Sequence, residues 1–316
     1  MISVVVPVYN GAAVLPKTVP AMRAQRERAE WIFVDDGSTD GTGEVLEDLL
    51  TLGFAAPGSS FRVLRHEANR GRAAARNTGI NAARGDFLLF LDADVAPEPG
   101  YLGAMVRALG RPGVAAAVGR ALPAEIERGN PYQHYLASPL RGPRKRSGGL
   151  LGWKHFLFCV AGVRREAAEA VGPLDEAVGY GEDLEYGHRL SFRFPDGLRY
   201  VPEAVGRMYA LGTLDTALDK MQEFGRDNLP RLVRRYPELA LETGVDVVDS
   251  ARGRGGLHAF ALRALLRPWL ASGLRRTLPA LPPVVSDVAV RYLLGYTLAR
   301  SYREGVARQE SPTASH

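Results

Sequence analysis

Two short carboxylate clusters stand out by residue type and spacing. Asp92-Ala93-Asp94 follows directly on the apolar run Phe87-Leu88-Leu89-Phe90-Leu91, and Glu182-Asp183 lies within Gly179-Tyr180-Gly181-Glu182-Asp183-Leu184-Glu185. The apolar run has the length and character of a buried strand. Its two aspartates therefore leave the strand's carboxyl end, where open α/β sheets bind their ligands. Two hard oxygen donors with no His or Cys beside them suit Mg2+ or Mn2+ shared with a substrate's phosphates. On these residues alone, a solvated Asp-rich turn is an equal alternative. On spacing alone the second cluster reads as an acidic first helical turn, stabilising a helix dipole by about 0.3–1 kcal/mol per charge.

The elements that must position these groups can be read from hydrophobic periodicity and turn residues. Strands are expected over 2–6, 31–34, 61–64 and 87–91, with helices over 12–26, 43–52 and 71–83 between them. Ser38 or Thr39 would cap the second helix. Strands alternating with helices at this spacing imply a mostly parallel sheet flanked by helices. Beyond Pro99 the pattern is less regular. A helix is expected over 101–109, strands over 114–118 and 156–160, helices over 164–171 and 182–193, and a strand over 198–205. From Tyr209 onward the chain reads as helical, with breaks near Pro230, Pro237, Pro268 and Pro282-Pro283. The expected division is one large domain over 1–212, in halves of about 1–98 and 99–212, followed by a basic helical extension over 213–316.

The 316 residues suffice for one large α/β domain with an appendage, and 46% apolar with 24% charged residues is ordinary globular composition. The single cysteine, Cys159, excludes an internal disulfide framework and a Cys-rich zinc site. No secretory signal and no membrane span are expected. The net charge of +5 is uneven: residues 251–316 hold ten arginines against Asp287, Glu304 and Glu310. The main domain is close to neutral, so nucleic acid is not an expected partner.

Four segments fall at strand ends of one sheet: Pro7-Val8-Tyr9-Asn10, Asp35-Asp36-Gly37-Ser38, the glycine-bearing Asn69 to Gly79, and Asp92-Ala93-Asp94. No Gly-x-Gly-x-x-Gly follows the first strand and no Gly-x-x-x-x-Gly-Lys-Ser/Thr occurs, which argues against a dinucleotide-binding oxidoreductase and a P-loop phosphotransferase. The succession VVPVYN, VDDGSTD, NRGRAAARNTGINAARGDFLLFLDAD and VGPLDEAVGYGEDLEYGHRL resembles family 2 of the inverting nucleotide-sugar glycosyltransferases, over about residues 1–235. The resemblance implies the GT-A fold, a Rossmann-like sheet flanked by helices. It also implies a hexosyltransferase that uses a UDP- or dTDP-linked donor to make polysaccharide, glycolipid or cell-envelope glycan. A non-catalytic GT-A-like nucleotide-binding module and a sugar nucleotidyltransferase are the competing readings. The second of these needs a glycine-rich basic loop after the first strand, which Pro7-Val8-Tyr9-Asn10 is not.

Carried over residue by residue, the resemblance implies that Pro7, Tyr9 and Asn10 line the nucleobase pocket, with the Tyr9 ring against the base. Asp36 would accept from the base's ring N–H, which favours uracil or thymine over adenine. Asp35 would bond base or ribose, or else cap the next helix. Arg72 and Arg76 would approach base or diphosphate, or else line an exposed helix face, and Asn77 would hold that helix against the strand before Asp92. Asp92 and Ala93 would lie by the ribose, and Asp94 would bind Mn2+ or Mg2+ at the diphosphate. Asp183 would be the general base and Glu182 would orient the acceptor, whether a glycan, a lipid-linked molecule or a small molecule. Many relatives carry a metal-completing His after the next strand; here Gly206-Arg207-Met208-Tyr209 has none. Arg207 could neutralise the diphosphate instead, and His134, His155 and His188 read as surface or packing residues.

The loop with Arg141, Arg144, Lys145 and Arg146 would be a lid over the diphosphate or a solvated loop, and Trp153 with His155 would face an acceptor sugar or the core. In the tail, Leu262, Leu265, Leu266, Trp269 and Leu270 follow helical spacing among arginines. A basic amphipathic helix bearing Trp suggests peripheral membrane contact through 251–305. Packing on the catalytic domain, or on a second copy in a homodimer, is the alternative. The expected location is cytoplasmic, with or without attachment to the inner membrane face.

Overall fold

In the computed structural model, which describes residues 1–52, 56–138, 149–248 and 266–310, the expected apolar runs become one half of an eight-stranded sheet. Strands β1 (Ile2–Val8), β2 (Ala29–Asp35), β3 (Ser60–Arg65) and β4 (Phe87–Leu91) lie in the order β3-β2-β1-β4, all parallel. Helices α1 (Leu15–Arg23), α2 (Thr42–Leu52) and α3 (Arg72–Ala82) connect them. Burial on both faces explains the apolar runs of β1, β2 and β4: every residue of β2 is buried, whereas no residue of the edge strand β3 is. Helix α3 lies so close to β1 that a Cβ on Gly79 would collide with the Val5 side chain. The first helix begins at Leu15, later than expected, with proline in its first turn.

The remaining strands complete the order β3-β2-β1-β4-β7-β6-β8-β5. They are β5 (Val95–Pro97), β6 (Ala116–Pro123), β7 (Val160–Arg164) and β8 (Leu198–Met208), interspersed with α4 (Tyr101–Leu109), α5 (Pro131–Ala137), α6 (Arg165–Val171) and α7 (Glu182–Arg193). Strand β7 runs antiparallel to both β4 and β6, and β5 runs antiparallel to β8. The strand expected at 156–160 instead lies at Val160–Arg164. Phe156 and Phe158 precede it as core side chains, packed edge-on with ring centroids 5.0 Å apart. A short apolar run does not by itself distinguish a strand from a loop threaded through a core.

The chain divides into two compact units, Met1–Glu125 with Pro139–Leu211 and Ile126–Ser138 with Gly212–His316. The sheet and its helices form the first. The second contains α5, α8 (Leu214–Glu223), α9 (Leu229–Arg235), α10 (Leu239–Thr243), α11 (Pro268–Thr277) and α12 (Pro283–Glu310). Proline stands in the first turn of α9 and α11, where its missing N–H costs nothing. Among the described residues no helix is long and apolar enough to cross a membrane.

Candidate active site

Parallel neighbours share a carboxyl edge, so the segments after β1, β2, β3 and β4 emerge together. Strand order reverses between β1 and β4, the switch point at which open α/β sheets leave a crevice. Tyr9 follows one of these strands and Asp92-Ala93-Asp94 the other. The Tyr9 ring is 52% exposed, an accessible aromatic face at the crevice edge. Pro7, Asp92, Ala93 and Asp94 are half-buried.

The strand-end loops are stitched to one another. Asn10, at φ 50, donates its N–H to Ser38 Oγ at 2.9 Å and accepts from the Thr39 N–H at 3.0 Å, so it ties two loops together. Asp35 is fully buried and accepts from the Ser38 N–H at 2.9 Å, which closes the turn after β2. The helix after it begins at Thr42, with Asp40 rather than Ser38 or Thr39 accepting from the Thr42 N–H at 3.1 Å. Asp36 is buried too. Its Oδ1 accepts from the Arg70 N–H at 2.9 Å and meets His66 Nδ1 at 2.6 Å, while Oδ2 accepts from the Gly71 N–H at 2.8 Å. A carboxylate offers about four acceptor positions, so these contacts leave one on Oδ2. His66, whose Nε2 reaches Thr78 Oγ1 at 2.9 Å, was not singled out by motif. The available signal was a histidine directly after a strand, leading into a glycine-bearing loop.

The link between the two acid clusters is Arg76. It was expected at the nucleotide or on an exposed helix face, and the structure corrects the second reading: its side chain is 2% exposed and sits over the Phe158 ring, 4.7 Å from the centroid. One guanidinium nitrogen donates to Asp92 Oδ1 at 2.7 Å and the other to Glu182 Oε1 at 2.8 Å. Burial would lower its pKa, but the Asp92 and Glu182 carboxylates hold it above the ordinary arginine value. Arg72, one turn earlier, is exposed, lies 3.4 Å from Glu182 Oε1 and stacks over the Tyr180 ring at 5.2 Å. Glu182 is thus buried between two arginines. Asn77 differs from expectation: its amide brackets Leu174 and accepts from the Leu174 N–H at 2.9 Å, while its Nδ2 reaches Glu176 Oε1 at 3.0 Å. It holds the loop that leads to α7 rather than β4.

Helix α7 begins at Glu182, after Gly181 in the left-handed region at φ 96. Asp183, next in line, is half-buried and accepts from the Leu184 N–H at 2.8 Å. Burial, and then the neighbouring Glu182 anion, push its pKa up to about 7, against the pull of Arg76 and Arg72. Cys159, just before β7, senses the whole cluster: burial raises its thiol pKa well above the usual range, and the charges of Asp92, Asp94 and Asp183 raise it further. The carboxylates from β4 and α7 therefore converge on one locality.

As a cation site, this donor set consists of hard oxygens without a soft ligand. Among the described residues no group of three or more His, Cys, Asp or Glu could hold a metal ion. Two carboxylates without a closed protein cage fit a Mg2+ or Mn2+ shared with a diphosphate, the usual manner of magnesium binding. Arg207, where a His was sought, is committed elsewhere: its Nε donates to Glu98 Oε1 at 2.6 Å. His188 is buried with Trp153 edge-on at 5.4 Å. The basic loop with Arg141, Arg144, Lys145 and Arg146 lies outside the described residues, as do Leu262 and Leu265.

A mixed sheet with acid clusters at this edge is the architecture of the GT-A glycosyltransferases. The mannosyltransferase PcManGT from Pyrobaculum calidifontis, solved with GDP-Man and Mn2+, matches with a TM-score of 0.62 at 21% identity, over 98% of this chain and 88% of that one. S. aureus TarS in complex with UDP-GlcNAc matches with a TM-score of 0.52 at 15% identity, over 98% and 91%. At these identities the likeness is one of fold. The sequence profile described as Glycosyl transferase family 2 matches residues 3–172, and the chain belongs to that family. The pre-mycofactocin glycosyltransferase of Mycobacterium tuberculosis is 34% identical over 209 residues, 65% of this chain and 42% of that protein. Glycosyltransferase AglE of Haloferax volcanii is 34% identical over 194 residues, 60% of this chain and 61% of that protein. The chain spans less than two thirds of either relative.

Proposed function

We propose that this chain transfers a sugar from a nucleotide-sugar donor to an acceptor hydroxyl with inversion at the anomeric carbon. The observation that carries the reading is the convergence of Asp92-Ala93-Asp94 and Glu182-Asp183, joined by the buried Arg76. One cluster faces the place where a diphosphate would lie and the other supplies a carboxylate with a pKa near neutrality. In this reading the Tyr9 ring stacks on the base, Pro7 lines the same pocket, and Asp36 uses its remaining acceptor position on a pyrimidine N3–H. Asp92 and Ala93 lie by the ribose, and Asp94, with Asp92 beside it, would hold Mn2+ or Mg2+. When bound, that ion offsets the charge that develops on the departing diphosphate. The exposed Arg72 adds a second positive group on the same side.

Asp183 accepts the proton of the acceptor hydroxyl as its oxygen attacks the anomeric carbon from the face opposite the diphosphate. Glu182, held by Arg76 and Arg72, fixes the start of the helix that carries Asp183. A cell-envelope glycan or glycolipid is the acceptor class favoured by the resemblance. The fold neighbours are of no help with the base, since one was solved with GDP-Man and another with UDP-GlcNAc. The choice of uridine or thymidine rests on Asp36 alone. Thermal shift of the full chain against UDP, dTDP, GDP and ADP, with and without Mn2+, tests this reading. Metal-dependent stabilisation by UDP or dTDP above the purine nucleotides is expected. No stabilisation by any nucleotide with Mn2+ would overturn the donor site, and a purine preference would overturn the role of Asp36.

A further inference from the structure

The second unit carries an apolar surface that its own core does not use. Helix α12 buries Ser286, Ala289, Val290 and Leu293, and Ala289, Val290 and Leu293 pack in one cluster with Leu214, Ala271 and Leu278. Its first turns are also apolar on the opposite side, where Val284, Val285 and Val288 are 63%, 48% and 64% exposed. Val284, Val288 and Arg291 stand at i, i+4 and i+7, a single stripe turned to solvent. Helix α11 repeats the arrangement: Ala271 faces the same cluster while Trp269 is 72% exposed. A helix on the surface of a globular unit ordinarily shows polar residues on that side, and grouped exposed apolar residues mark an interaction surface.

The charge around these residues selects the partner. Arg267, Arg276 and Arg291 are exposed, Arg275 is paired with Asp215 of α8 at 2.6 Å, and Asp287 is the one acidic residue between 266 and 291. Valine and indole side chains set among arginines match the boundary layer of a bilayer, where apolar groups enter between headgroups and cations stay at the phosphates. A second copy of the chain would bring like charges together, which opposes docking. Since neither helix is long and apolar enough to cross, contact would be in the plane of the surface. We propose that the second unit docks on anionic lipid bilayers through the exposed side of α12, where Val284, Val285 and Val288 enter the headgroup region and Arg291 binds lipid phosphate, and through Trp269 and Arg276 of α11. The proposal does not depend on sugar transfer by the first unit.

Co-sedimentation of the full chain with vesicles tests it, using equal parts phosphatidylcholine and phosphatidylglycerol against phosphatidylcholine alone. The wild type is expected to pellet with the anionic vesicles only, and less so at high salt. Arg276→Glu with Arg291→Glu should lower that partitioning about tenfold or more, given the attraction of each basic residue to an anionic leaflet. Val284→Asp with Val288→Asp should abolish it and leave the melting temperature unchanged, because both residues are exposed. Brominated lipid should quench the fluorescence of wild type more than that of Trp269→Tyr. Wild-type protein remaining in the supernatant, or undiminished pelleting of both double variants, overturns the proposal. A dimer in light scattering that Val288→Asp dissociates, without vesicle binding, would assign the face to a second copy instead.

Discussion

Removing the Arg76 cation separates a structural strut from an ordinary surface arginine. Arg76→Met keeps an unbranched chain over Phe158 but takes the buried cation from Asp92 and Glu182, leaving Glu182 only the exposed Arg72 at 3.4 Å. Removing one member of a buried pair costs about 3–5 kcal/mol, because the remaining charge stays in a poor dielectric. The two partners are not equally trapped: the Glu182 side chain is 4% exposed and that of Asp92 is 28% exposed. Asp92 can regain water, so the loss should fall near the lower figure, about 3 kcal/mol. In a unit of this size about 1 kcal/mol moves the melting temperature by about 2–4 °C, so a drop of about 6–12 °C is expected. Adding Glu182→Gln to Arg76→Met should recover much of it by removing the trapped charge, and adding Asp92→Asn should recover less. Arg70→Ala serves as control. Arg70 meets Glu176 at 3.2 Å with both side chains about half exposed, and its loss should cost no more than about 1 kcal/mol. Scanning calorimetry on the five proteins decides. If Arg76→Met melts within a degree or two of Arg70→Ala, or if Glu182→Gln brings no recovery, the strut is not what joins the two clusters.

Four further outcomes follow from the geometry. Asp183→Asn should bind donor nucleotide normally yet lose about 10²–10⁴-fold in single-turnover transfer; near wild-type rates would move the base elsewhere. Because the Asp183 carboxyl is pushed up to about 7 in the fold, wild-type transfer should fall as pH drops below about 7. The same group contributes stability while protonated and loses that contribution as pH rises from its ordinary 3.8 towards about 7, so Asp183→Asn should flatten the stability profile over that window, read by urea denaturation. Asp94→Ala should abolish Mn2+-dependent UDP binding in calorimetry with the melting temperature preserved, and unchanged metal dependence would refute the assignment.

Strands β1, β2 and β4 were legible because they are buried on both faces and therefore largely apolar, while the edge strand β3 was legible from its short Phe61 to Leu64 run between loops. The helix over 182–193 was legible because an acidic first turn follows a glycine and precedes amphipathic spacing. The acid clusters declared themselves by type and position. Arg76 did not. Its local sequence, alanines with an arginine one turn earlier, describes a solvated basic face equally well. Burial comes from Phe158, from Asp92 at 16 residues' separation and from Glu182 at 106, none of which local pattern reveals. His66 escaped for the same reason, since its partner Asp36 lies 30 residues away. Strand β7 was misplaced by its apolar approach, where Phe156 and Phe158 fill the core without pairing.

The placement of Arg76 also bears on why the two acids of each cluster can differ in chemistry. Its terminal nitrogens donate to one member of each pair, the half-buried Asp92 and the buried Glu182. Asp183 titrates beside the Glu182 charge, which adds to burial in raising its pKa. Were the guanidinium bonded to Asp183 directly, it would favour the ionised form and leave a carboxylate too weakly basic for proton transfer near neutral pH. The guanidinium stands one residue away and pulls the Asp183 pKa down only in part, so burial and the Glu182 charge leave it near neutrality, the value that proton transfer by the proposed base needs.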